Sequence, residues 1–207
     1  MRYLLLIIGL LLSQLAVAQF SKRFEAGSYF LMANPGVRQL GDLKLRNERK
    51  LLVKTKKGKR LKLPPDEVKR FQLGSRAYVV AKHFHLSVNS RSIAVDEAFV
   101  QRLDSGQVVV MRYDHLLNTG ADWLCLYRYS IDAYLLQSHP DSAVAVVVDY
   151  FDKARFRQQA RPFLASRSDL AQMLDEGLIT YSNLPTALHA LNNNLPFSIS
   201  AIPERKE

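Results

Sequence analysis

One cysteine, Cys125, is all the chain contains in 207 residues, so no disulfide can form within it and stability has to come from packing. Acidic residues are also in short supply: 19 Asp and Glu stand against 29 Lys and Arg, a formal net charge of +10. A Gly-x-Ser-x-Gly nucleophile elbow is missing, as is a His-Glu-x-x-His zinc motif. Lys57-Gly58-Lys59 lacks the glycine-x4-glycine-lysine frame of a phosphate loop. The adjacent acids Asp66-Glu67, Asp96-Glu97 and Asp175-Glu176 cannot by themselves make a glycosidase pair, whose carboxyls converge across a cleft at roughly 5 to 10 Å. No cofactor is implied, and catalysis has no visible constellation.

Long apolar runs are confined to the first residues. Arg2, the stretch Leu4 to Leu15 and the small-x-small site Ala16-Val17-Ala18 make residues 1–18 a secretory signal peptide, with cleavage expected between Ala18 and Gln19. The stretch is too short for a membrane anchor, which needs about 20 apolar residues. Gln19 stands where a lipoprotein would carry its cysteine. The expected product is exported, periplasmic or extracellular, with no transmembrane span in the mature chain.

What is present is β-rich and basic. An apolar content of 48% with 10% aromatics is that of a folding domain. Strands are expected near Tyr29 to Met32, Tyr78 to Val88, Phe99 to Leu103, Gln107 to Tyr113, Trp123 to Tyr129, Tyr134 to Gln137 and Ala143 to Val148, with Asp104-Ser105-Gly106 as a turn. Tyr78, Val80, Phe84, Leu86 and Val88 should face inward, with Lys82 the exception. Cys125, alternating with Trp123, Tyr127, Tyr129 and Ile131, reads as a small buried hydrophobe. His83-x-His85 offers two imidazoles without a third or fourth ligand, so both read as surface histidines.

After Asp149 helical spacing takes over. One helix is expected from Phe151 to Leu164, bent or ended by Pro162, and a second capped by Ser166 or Ser168 that stops at Gly177. Asn183 caps a third, closed by Asn192-Asn193-Asn194. The fold class is therefore α+β: an antiparallel sheet or open barrel over residues 19–148, a helical region over 149–195 packed on it, and a frayed tail over 196–207.

The basic excess is concentrated. Between Lys44 and Arg70 twelve Lys or Arg meet three acids, yet apolar residues are interleaved at strand spacing. A two-residue turn at Lys57-Gly58 would set Lys54 opposite Leu61 and mix the faces. A three-residue loop, Lys56-Lys57-Gly58, with Gly58 left-handed, pairs Val53 with Leu61, Leu51 with Leu63 and Lys54 with Arg60. That register is the expectation, and it gathers Lys54, Lys56, Arg60 and Lys62 as a candidate anion-binding set. A solvated lysine-rich face accounts for the same pattern. Polyanion candidates are anionic polysaccharide, lipopolysaccharide and lipid headgroups. Nucleic acid comes last, because the stretch lacks aromatics spaced for base stacking and export separates it from the genome.

The order of parts, with Gly41-Asp42-Leu43-Lys44-Leu45, then Asp66-Glu67-Val68-Lys69-Arg70-Phe71, then Ser168-Asp169-Leu170 onward, resembles a group of uncharacterised exported β-rich proteins of Bacteroidetes. That resemblance implies a bacterial envelope setting and brings no activity and no site residue. The functional expectation is an exported noncatalytic protein that binds envelope or extracellular polyanions through a basic β-hairpin. The alternative is a secreted, hydrolase-like enzyme.

Overall fold

Alternating apolar and polar side chains give a strand one face to bury, and an antiparallel sheet is where such strands pair. The computed structural model describes residues 23–88, 91–118, 128–139, 146–148 and 152–198. Its strands are β1 (Glu25–Leu31), β2 (Asn34–Asn47), β3 (Lys50–Thr55), β4 (Arg60–Leu63), β5 (Val68–Leu73), β6 (Arg76–Val88), β7 (Arg91–Asp104), β8 (Val109–Asn118), β9 (Arg128–Gln137) and β10 (Val146–Val148). They form one open sheet in the order β10-β9-β8-β7-β6-β5-β1-β2-β3-β4, every neighbouring pair antiparallel. Helices α1 (Lys153–Leu164), α2 (Ser168–Asp175) and α3 (Leu184–Asn192) follow, so the fold is α+β as the pattern predicts.

The β3–β4 hairpin has the expected register: Leu51 pairs with Leu63, Val53 with Leu61 and Lys54 with Arg60. Gly58 adopts φ +78, and its N–H donates to the Thr55 carbonyl at 2.8 Å while Thr55 N–H donates to the Lys59 carbonyl at 2.9 Å. Glycine adopts this left-handed geometry at no steric cost. Elsewhere the boundaries differ. Asn34-Pro35-Gly36 opens β2, and between the Leu31–Asn34 and Tyr29–Gln39 pairs four β2 residues stand against Phe30 alone, three more than regular pairing allows. Pro65–Glu67 forms a 3-10 turn, and β5 begins directly after it at Val68. The segments expected near Trp123 to Tyr129 and Tyr134 to Gln137 meet in β9, while Cys125, Trp123 and residues 1–18 lie outside the described residues.

Side chains bury into three clusters on two faces of this sheet. On the first face Tyr29, Leu43, Leu45, Val53, Phe71, Tyr78 and Phe99 pack together. The sheet curls to allow it, for Glu48 in the β2–β3 turn accepts the Phe99 N–H at 2.7 Å. Farther along the same face Val110 and Leu136 meet the helices. The opposite face buries Ala81, Phe84, Leu86, Val95, Ala98, Met111, Tyr113 and Leu135.

Tyr78 and Val80 therefore do not share a face with Phe84 and Leu86, contrary to the simple alternation. Ala81 and Phe84 belong to one cluster, as do Val95 and Ala98 on the partner strand, so both strands skip a residue at one level. His83 makes the skip on β6, with φ +51. A non-glycine left-handed residue costs roughly 1 to 2 kcal/mol. In return the end of the β6–β7 hairpin bends across β8 and β9, where Phe84 sets its ring edge on Tyr113 at 5.1 Å between centroids. Lys82, the exception in the sequence pattern, is the last residue before the skip and pairs with Glu97 at 2.6 Å.

The helices bury Phe156, Leu164, Leu170, Leu174, Leu184 and Leu188 against β8 and β9. Asp152 caps α1 by accepting from Ala154 and Arg155 N–H groups, and Pro162 falls in the last turn, two residues before the end. Ser168 is the first residue of α2 rather than its cap, since Arg167 occupies that position. Asn183 stands at the α3 cap position, but its side chain accepts from Thr180 N–H and donates to the Leu178 carbonyl instead. Phe197 packs against this cluster, and residues 199–207 lie outside the described residues.

Asn192 fastens α3 to the sheet. Its amide accepts from Val108 N–H at 2.9 Å and donates to the Val108 carbonyl at 2.8 Å. Gly106 leaves the room, since a Cβ there would lie 2.8 Å from the Asn192 side chain. Asn192→Ala should cost about 2 kcal/mol by stranding two backbone groups. The check is hydrogen exchange of α3 amides, which should quicken before those of β1 to β5.

Candidate functional site

The four candidate cations lie where the register puts them. With Leu43, Leu45, Leu51, Val53 and Leu63 buried, alternation leaves Lys54, Arg60 and Lys62 on the outward face of β3 and β4, and Lys56 begins the loop beyond. Lys44 and Arg46 continue the same face on β2. Neighbouring strands are about 4.8 Å apart, so the row Asp42–Lys54–Arg60 and the row Lys44–Leu52–Lys62 form a charged grid. Asp42 is the acid opposite Lys54. The side chains of Lys54, Lys56, Arg60 and Lys62 are exposed and make no ion pair or hydrogen bond among the described residues.

Like charges on adjacent strands repel by some tenths of a kcal/mol per pair in water, and packing of the opposite face holds them together. A multivalent anion would relieve that repulsion.

A second polar cluster sits inside the molecule, and the sequence pattern did not disclose it. β7 pairs with β8 only from Gln101 onward; before that its Phe99 N–H turns to Glu48, so the two strands fork. At the fork lies Asp114, 7% exposed, directly across the β8–β9 rung from Asp132. Its carboxylate oxygens accept from no N–H group and have only the Asp132 carboxyl as a side-chain hydrogen-bond partner, while the buried Tyr78 hydroxyl and Arg112 Nε have none. Arg112 Nε stands 3.8 Å from Asp114 Oδ1, an ion-pair distance, while Arg112 Nη2 donates to Gln101 Oε1 at 3.3 Å.

Burial, with the Asp132 carboxyl second, pushes Asp114 up to about 8, and the Arg112 guanidinium offsets only part of it. Burial also raises Tyr78 and Tyr181, both of which feel the Asp114 charge. Tyr181 donates to the Asp132 carbonyl at 2.8 Å and accepts the Tyr134 N–H at 3.2 Å, tying the helical region to the same rung.

His83 and His85 are exposed, with His85 Nδ1 3.5 Å from Ser92 Oγ. Among the described residues no group of three or more His, Cys, Asp or Glu side chains is placed to hold a metal ion, and no helix is long and apolar enough to cross a membrane.

Fold and surface together define an α+β protein with an open antiparallel sheet, cationic on its outer face at one end and covered by helices at the other. Compared with family models, with curated proteins and with solved structures, the chain matches none.

Proposed function

We propose that the protein is exported and noncatalytic, and that it binds envelope or extracellular polyanions through the outward face of β2 to β4. The observation that carries this reading is the register: it places Lys54, Lys56, Arg60 and Lys62 on one exposed surface without partners among the described residues. A bacterial envelope setting, implied by the resemblance to exported Bacteroidetes proteins, supplies such anions as lipopolysaccharide and acidic polysaccharide. Electrostatic attachment of this kind weakens steeply with salt, because bound counterions are released.

A second reading, a secreted hydrolase-like enzyme, is favoured by one observation, the facing carboxyls of Asp114 and Asp132. The Asp114 oxygens, however, are shut away from solvent, which leaves a substrate no approach to them.

The wild-type protein should be retained on a heparin-like or lipopolysaccharide resin and elute earlier as salt rises. Changing Lys54, Lys56, Arg60 and Lys62 together to Gln should weaken binding at low salt on the order of a hundredfold. Retention that does not respond to these four changes rules this face out.

A further inference from the structure

Four of the seven large apolar side chains exposed among the described residues, Phe24, Met32, Val37 and Leu40, belong to the β1–β2 hairpin or its approach. Met32, Val37 and Leu40 are each more than half exposed, at 51%, 57% and 51%. Four such side chains in one hairpin form a concentration rather than the single scattered apolar residues usual on a surface. Leu40 shares its face with Asp42, Lys44 and Arg46, because Leu43 and Leu45 point inward. Leu40 is thus continuous with the cationic face, and Met32 and Val37 lie toward the hairpin tip beyond it.

The hairpin end is held firmly. Met32 N–H donates to the Glu67 carbonyl at 2.9 Å, so the tip is fixed against the 3-10 turn. The four unpaired β2 residues, Pro35 to Arg38, carry Val37 out beyond the paired rungs. Cations flank it: Arg38, Lys69 and Arg70 are exposed, and Arg70 lies over the Phe30 ring at 4.3 Å. The exposed acids Asp66 and Glu67 adjoin the tip and oppose this charge locally.

We infer that this end of the sheet docks on an anionic lipid bilayer, with Met32, Val37 and Leu40 entering the interfacial region and the cations of β2 to β4 meeting the headgroups. The inference rests on the polyanion reading and narrows it to one partner. A soluble polysaccharide satisfies the cations and offers the apolar tip nothing. An anionic bilayer satisfies both, since interfacial binding adds buried apolar area to attraction for charged headgroups.

The test compares two probes on the same proteins: vesicles of phosphatidylglycerol mixed with phosphatidylcholine, read by co-sedimentation, and heparin-like resin. The wild type should bind both and ignore vesicles of phosphatidylcholine alone. Met32→Ser, Val37→Ser and Leu40→Ser combined should lower vesicle partitioning by about tenfold or more and leave resin retention and melting temperature unchanged. Four possible results overturn the inference. If the wild type binds resin but not anionic vesicles, the inference falls while the polyanion reading survives. If it binds neither, both fall. If the triple variant partitions like the wild type, the tip has no part in docking. If the triple variant instead converts a dimer to a monomer with partitioning unchanged, the patch is an interface between copies of this chain.

Discussion

Stability should fall as pH rises from about 4 to about 8, and Asp114→Asn should abolish most of that fall. The sign follows from where the proton sits. Asp114 loses its proton at about 8 in the folded protein, against the ordinary 3.8 that an unfolded chain shows. Below pH 4 both states hold the proton, and folding gains the full benefit of a neutral buried group. Between the two values the unfolded chain has released its proton and the folded one has not, so each pH unit costs the folded state about 1.4 kcal/mol. Above pH 8 the penalty levels off, at about 6 kcal/mol as an outer bound. Denaturant titrations at pH 5, 6.5 and 8 measure it. A wild-type midpoint that stays flat over this range, or an Asp114→Asn variant with the same slope, would refute the account.

The neighbours sharpen the test. Arg112, Asp132, Tyr78, Tyr113 and Tyr181 all act on or feel this charge. Asp132→Asn removes the facing charge, so it should move the decline to lower pH while keeping its direction.

Phe71→Ala should be the most damaging single truncation in the curled part of the sheet. Phe71 is 3% exposed, stacked on Tyr78 with centroids 4.6 Å apart and set edge-on to Phe99 at 5.2 Å. Removing the ring empties a site that three strands surround, and such truncations cost about 3 to 5 kcal/mol. That is a large share of the roughly 5 to 15 kcal/mol that a domain possesses. Phe71→Leu keeps most of the volume and should cost less than half as much. Urea midpoints read the difference, with an unchanged slope showing that the denatured state is not the cause.

Local chemistry was legible wherever it was self-sufficient. Leu51, Val53, Leu61 and Leu63 alternate with charged residues around a glycine, and only one loop length keeps the faces unmixed, so the register could be counted off the chain. The candidate cations came with it. Asn34-Pro35-Gly36 is not decided by its own residues, because turn-forming residues also occur where a strand bulges, and only pairing with β1 and its neighbours chooses between the two. The skip at His83 left a trace, Lys82 in an apolar series, but a trace of that kind does not say that the ribbon has turned over.

Asp114 was invisible for a different reason. Its burial depends on β7 parting from β8, and its partner Asp132 reaches it from another strand. Tyr78, Arg112 and Asp132 come from three separate segments, and none has a spacing that marks it. Arg112 and Asp114, two residues apart and so on one face of β8, were the sole hint.

The strand order has a consequence for engineering the molecule. β3 and β4 close one end of the sheet and the helix-bearing β8 and β9 lie toward the other, with β5, β6 and β7 between them. Surface charges can therefore be exchanged at the first end without touching a residue that the helices use. The central strands are a shared wall with a core on either side, so Phe99 and Val100, adjacent in sequence, answer to different rooms. A new binding surface could be grafted at the cationic end as onto a detachable panel, provided that this wall is left alone.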